Sequence, residues 1–163
     1  MSELLKASQS LAERLGQRCL ELGISVTAAE SCTGGGVAAA ITDIAGSSEW
    51  FEAGYVTYSN AAKTRLLGVS TAILEQHGAV SEAVVESMVA GACTDSGAQA
   101  GVAISGVAGP GGGSAEKPVG TVWLAWSVKG RVDAQRFLFE GDRSAVRQQS
   151  VVTALEGLLE RLA

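Results

Sequence analysis

Ile24-Ser25-Val26-Thr27-Ala28-Ala29-Glu30-Ser31-Cys32-Thr33-Gly34-Gly35-Gly36-Val37 reads as a strand handing over to a helix. Ile24 to Ala29 is short, largely apolar and carries β-branched residues. Glu30 to Gly36 mixes cap residues with glycine, and Val37 to Ile44 is a run of small residues that suits a helix. Ser31 and Thr33 therefore sit where a strand gives way to a helix N-terminus. Upstream, Leu4, Leu11, Leu15, Cys19 and Leu22 recur at close to helical spacing, and Gly23 stops that helix. Downstream, Phe51 to Ser59 predicts a second strand. A helix follows from Ser59 or Asn60, with Lys63 in its first turn. Residues 70–76 form a short helix ended by His77-Gly78, and Ser81 caps a longer one to about Asp95. Gln99 to Ser105 is a strand and Gly106 to Gly113 a glycine-rich loop. Val119 to Val128 and Arg131 to Glu140 pair around Lys129-Gly130, and Asp142 caps a last helix that puts Val146, Val152, Leu155, Leu159 and Leu162 on one face. Helices and strands interleave and a hairpin closes the series. The expected fold is α/β: a three-layer α/β/α single domain, residues 1–163, with a mixed sheet.

The chain has 163 residues, which suits one domain, and its hydrophobic (47%) and charged (18%) fractions are those of a globular protein. The formal charge of −5 argues against a nucleic-acid partner, which calls for a broad basic stripe. A small anion remains allowed, because a few backbone N–H groups and one arginine can hold it. Cys19, Cys32 and Cys93 are odd in number and show no C-x-x-C spacing, which argues against a disulfide framework or a zinc site. Met1 to Lys6 shows no basic segment followed by an apolar one, and no apolar run approaches a membrane span. A cytoplasmic location with no membrane partner is expected.

Thr33-Gly34-Gly35-Gly36 ahead of a helix can present free N–H groups to an anion or oxyanion. The loop from Ser105 to Gly113 also follows a strand, but no Gly-Lys-Ser/Thr occurs and a hairpin follows, so neither a P-loop nor a dinucleotide fingerprint fits. Either loop can equally be a turn that needs positive φ. Ser31 is a candidate nucleophile, or simply a helix cap, and Cys32 is its rival in the same turn or a small buried thiol. A nucleophilic serine needs a base. His77, the only histidine, ends a helix, where a cation suits the dipole. Lys63 is the better base, because a first helical turn and partial burial both push an amine towards neutrality; otherwise it is a solvated lysine. Tyr58 lies five residues before it and could relay a proton, or be a half-buried strand residue. Asp43, Asp95, Asp133 and Asp142 form no metal-ligand spacing. Arg143 and Arg147 share a helical face and could grip a phosphate, or stand exposed. Trp123 and Trp126, three apart in a strand, point to opposite faces.

Read together, Ala29-Glu30-Ser31-Cys32-Thr33-Gly34-Gly35, Thr42-Asp43-Ile44-Ala45-Gly46-Ser47-Ser48, Gly54-Tyr55-Val56-Thr57-Tyr58-Ser59-Asn60, His77-Gly78-Ala79-Val80-Ser81, the run Ser105 to Gly113, Lys117-Pro118-Val119-Gly120-Thr121-Val122 and Gly141-Asp142-Arg143 resemble the C-terminal domain family of the competence/damage-inducible protein CinA. The stand-alone members are nicotinamide mononucleotide deamidases, and the resemblance spans the chain. It implies hydrolysis of that substrate's carboxamide to nicotinic acid mononucleotide and ammonia, in pyridine nucleotide recycling. It implies Ser31 as nucleophile with Lys63 and Tyr58 as acid–base partners, and neither cofactor nor metal. Thr33, Gly34, Gly35, Asn60, Ser105, Gly106, Gly109, Arg143 and Arg147 would bind substrate. Gly111 stands where some relatives carry an acidic residue. The alternatives are a non-catalytic nucleotide-binding regulatory module and a Ser-Lys hydrolase acting on peptides or lactams. A homodimer or higher homo-oligomer is expected, from the apolar composition and the free hairpin edge at 119–140.

Overall fold

The computed structural model describes residues 2–163; Met1, first residue of the N-terminal segment read above, lies outside them. The elements run α1 Glu3–Leu22, β1 Val26–Glu30, α2 Gly36–Thr42, β2 Phe51–Val56, α3 Asn60–Leu67, α4 Thr71–His77, α5 Glu82–Ser96, β3 Ala100–Gly106, β4 Thr121–Val128, β5 Arg131–Leu138 and α6 Arg143–Arg161. They build a five-stranded sheet in the order β2-β1-β3-β4-β5. Strands β2, β1 and β3 are parallel, because helical crossovers join them, while β3, β4 and β5 are antiparallel. The β4–β5 turn has positive φ at both Lys129 (51°) and Gly130 (83°), the backbone that a two-residue hairpin requires. This is the mixed α/β/α sheet that the interleaved pattern predicts.

Each face of the sheet buries its own core. On one side α1, α2 and α6 cover Val26, Ala28, Ile104, Leu124 and Trp126. On the other α3, α4 and α5 cover Ala29, Ala103 and Ala125. Side chains alternate along a strand, so Ala28 and Ala29 enter opposite cores. The same alternation sends Glu30 towards α2 and Ser31 towards α3. Trp123 and Trp126 also part to opposite faces, as their spacing requires. The Trp126 indole N–H donates to the Ala154 carbonyl (3.0 Å), and the Arg161 guanidinium stacks over its ring at 4.0 Å.

Three local expectations need correction. Strand β2 ends at Val56, not Ser59, because the Thr57 and Tyr58 carbonyls turn away to accept from the Lys63 amine. The inward face of α1 is Ser8, Ala12, Leu15, Gly16 and Cys19, and Leu22 is exposed. A short 3₁₀ turn at Ser47–Glu49, entered through Gly46 at φ 82°, was hidden by its polar composition and seats Trp50 in the first core.

Candidate active site

Ser31 is the first residue beyond β1, and its N–H continues the ladder to the Ile104 carbonyl at 3.0 Å. Its Oγ lies 3.1 Å from Nζ of Lys63. Helix α3 brings that lysine in. Ser59 caps the helix by accepting from the Ala62 N–H (3.0 Å), which sets the first turn and turns Lys63 inward to 1% exposure. Nζ has two other partners, the carbonyls of Thr57 (2.9 Å) and Tyr58 (3.2 Å). Burial lowers the pKa of this amine below the ordinary lysine value. A neutral amine has two N–H donors and one lone pair. Carbonyl oxygens can only accept, so in the neutral amine the two N–H groups would go to them and the lone pair would be left for the Ser31 hydroxyl, whereas the ammonium donates to all three.

Glu30 is 1% exposed and needs donors of its own. Its carboxylate accepts from the Thr33 hydroxyl (2.6 Å) and from the N–H groups of Val37 (2.9 Å) and Ala38 (3.0 Å). It closes the N-terminus of α2 that the sequence offered as an anion site. Thr33 is buried in that network. Gly34 and Gly35 supply the positive φ (59° and 102°) that turns the chain from β1 into α2. Arg147 braces the same turn, donating to the carbonyls of Cys32 (3.0 Å) and Thr33 (3.2 Å). Thr33, Gly34, Gly35 and Arg147 therefore shape the turn from behind and do not line the cavity in front of Ser31.

That cavity measures about 330 Å³. Around it the fold gathers Ser31, Cys32, Tyr58, Asn60, Lys63, Ser105, Gly106, Gly109 and Arg143, joined by Ala79 and Val80 and by Gly111 and Gly112. Arg143 donates to the Gly109 carbonyl (2.8 Å) and to the Tyr58 phenol oxygen (3.1 Å), which fixes it at the rim. The Tyr58 phenol thus meets Arg143, and only its carbonyl meets Lys63. The Cys32 thiol is pushed up to about 11 by burial, which leaves it protonated and poorly nucleophilic at neutral pH. His77 ends α4 and uses its carbonyl to accept from Lys117 Nζ (2.8 Å), tying the segment between the glycine-rich loop and β4 to the end of α4. Sequence reasoning missed Glu30, Ala79, Val80 and Lys117. Glu30 had a legible signal: an acid that ends an apolar strand next to cap residues must be buried with donors.

Three elements thus bring a serine and a desolvated lysine together beside a glycine-walled cavity with one arginine at its rim. The family model described as the CinA C-terminal domain matches residues 8–162. This chain belongs to the CinA C-terminal domain family. It is 62% identical over 151 residues to the nicotinamide-nucleotide amidohydrolase PncC of Pseudomonas putida, covering 93% of this chain and 94% of that one. It is 53% identical over 161 residues to the protein of the same name from Escherichia coli K12, covering 98% and 95%. A crystal structure of a CinA superfamily protein from Klebsiella pneumoniae superposes with TM-score 0.92 at 42% identity, covering 95% of this chain and 97% of that one. The family resemblance and the fold expected from sequence both hold.

Proposed function

We propose that this chain is a nicotinamide-nucleotide amidohydrolase that hydrolyses the carboxamide of nicotinamide mononucleotide to nicotinic acid mononucleotide and ammonia. The names of its full-length relatives support the reaction. The observation that carries the mechanism is Lys63 Nζ, 3.1 Å from Ser31 Oγ, with its other two partners both carbonyls. Ser31 attacks the carboxamide carbon while the Lys63 lone pair takes its proton. The resulting ammonium keeps all three N–H groups satisfied. When the tetrahedral intermediate collapses, the C–N bond breaks and Lys63 returns the proton to the departing ammonia. Neutral Lys63 then draws a proton from the water that attacks the acyl-Ser31 ester; as the carbon–Oγ bond breaks, Lys63 returns that proton to Ser31 Oγ and the acid product leaves.

Arg143 reads the phosphate, supported by its place at the rim. Tyr58 holds Lys63 through its carbonyl and steadies Arg143 through its phenol. Asn60, Gly106 and Gly109 form the walls for the ring and ribose. The enzyme works in the cytoplasm as a homodimer, on a small-molecule substrate and without nucleic acid or membrane; no helix among the described residues is long and apolar enough to cross one. Ammonia release from the mononucleotide, compared in wild type and Ser31→Ala, tests the reaction and its nucleophile together.

A further inference from the structure

Val107 to Gly120 joins β3 to β4 through fourteen residues, five of them glycine. Glycine has the most conformational freedom to lose, so a segment of this composition does not hold one shape by itself. Yet Val107, Ala108, Gly109, Gly111 and Gly112 line the cavity in front of Ser31. Substrate meets a fixed surface there only if the segment is tied down beforehand.

The base of the segment is closed by its own backbone. Val107 N–H donates to the Thr121 carbonyl and Gly120 N–H to the Val107 carbonyl, both at 2.8 Å. At the tip, Ser114 N–H donates to the Lys117 carbonyl (2.9 Å) and Lys117 N–H to the Ser114 hydroxyl (3.0 Å), which makes a turn. Two cations tie this tip to the rest of the protein. Arg136 of β5 donates to the Glu116 carbonyl (2.8 Å). Half-buried Lys117 donates through Nζ to the His77 carbonyl (2.8 Å), and a Cβ on Gly78 would lie 3.3 Å from that nitrogen. The two ties lead to different places. No described residue of β5 lines the cavity, whereas Gly78 runs directly into Ala79 and Val80, which do. Lys117 therefore joins two segments that line the cavity without lining it itself.

We propose that Lys117 is a positioning residue for substrate: its bond to His77 holds the glycine-rich segment to the turn between α4 and α5 and keeps the cavity in its binding shape. Lys117 touches neither substrate nor the reacting atoms. With the tie cut, the segment samples shapes that do not bind, and affinity falls in proportion to the fraction that still does. Ser31 and Lys63 stand on β1 and α3, so bound substrate reacts as before. The role rests on the amidase reading above and adds a determinant of affinity separate from the phosphate.

Steady-state ammonia release from the mononucleotide and from nicotinamide riboside tests it in wild type, Lys117→Met, Lys117→Arg and Arg136→Met, with hydrogen exchange alongside. Lys117→Met should raise KM about 10-fold, the scale of one hydrogen bond from a charged group, while kcat stays within about twofold. The rise should be the same for both substrates. Lys117→Arg, which keeps N–H donors on a cation, should recover most of the affinity. Arg136→Met removes the same charge from the same tip and should leave KM near wild type. Amides of residues 107–120 should exchange faster in Lys117→Met, while those of β1 and β3 keep their protection. A rise in KM for the mononucleotide alone would make Lys117 a phosphate contact, and an equal rise in Arg136→Met would reduce it to net charge. Either result overturns the tie, as does an unchanged KM or unchanged exchange, and all of them leave the amidase reading intact. A wild type that releases no ammonia removes that reading instead, and exchange alone then decides whether Lys117 holds the segment.

Discussion

In the proposed mechanism Lys63 is the residue on which the chemistry turns, and its environment predicts how it responds to pH. Its amine is buried against two carbonyls and a hydroxyl and titrates below its ordinary value of 10.5. Activity should fall as pH drops and the amine protonates, giving an acid limb assigned to Lys63. Lys63→Arg should lose about 10³-fold or more in kcat, because guanidinium cannot surrender its proton; an active arginine variant would reduce the residue to a positive charge. Stability carries the same signature. Below 10.5 the unfolded chain binds a proton that the folded chain resists, so stability should rise with pH from the lowered folded-state value up to 10.5. Denaturant midpoints across that window should show the slope in wild type and lose it in Lys63→Met. Cys32→Ala should stay active, since burial keeps the thiol protonated; an inactive variant with a wild-type fold would move the nucleophile to Cys32. Tyr58→Phe should raise KM more than it lowers kcat, and the reverse pattern would restore the phenol as a proton relay. Cap, turn and charge logic made Ser31, Lys63 and Arg143 candidates beside plainer readings, and the family resemblance, not spacing, singled out Ser31 and Lys63. Glu30 was overlooked although its partners Thr33, Val37 and Ala38 lie within eight residues of it.

At the scale of elements, α3 delivers Lys63, and its seat on α5 is tight. A Cβ on Gly91 of α5 would run into the Leu67 carbonyl at the end of α3. Gly91→Ala should therefore force the two helices apart, costing about 1–3 kcal/mol and displacing the base. Gly157→Ala on α6 is the control. Its methyl would meet the Trp126 ring in the opposite core, costing comparable stability far from Lys63. Melting curves read with kcat should show both variants destabilised but only Gly91→Ala losing turnover beyond its loss of fold. Equal kinetic effects would mean that α3 does not set the site. Every α-helix and strand of the fold announced itself in sequence through periodicity and caps, because local signals dominate there. The end of β2 did not, since a lysine five to six residues later takes its carbonyls. Nor did the closed N-terminus of α2, whose one trace in sequence is the acid that ends the apolar strand β1.

For the whole molecule, the −5 charge repels an anionic substrate, so a preference for the phosphate would have to come from a local positive group. Arg143 stands at the cavity rim, while Arg147 spends its donors on the turn. Wild type should prefer the mononucleotide over nicotinamide riboside by roughly 30- to 150-fold, the worth of about 2–3 kcal/mol in charged hydrogen bonds. Arg143→Met should erase most of that preference while riboside turnover survives; an unchanged ratio would move the phosphate elsewhere. In the proposed homodimer the free edge of β5, with Leu138 64% exposed, would meet the second copy. Light scattering at micromolar concentration should report a dimer, and a monomer rejects that assembly.

The central claim is that Ser31, activated by neutral Lys63, opens the carboxamide of nicotinamide mononucleotide. Ammonia release from that substrate, measured side by side for wild type and a folded Ser31→Ala, tests it most directly. The account predicts steady release by wild type and a loss of at least ~10³-fold in the variant. Comparable release by both proteins, or none by wild type, contradicts it.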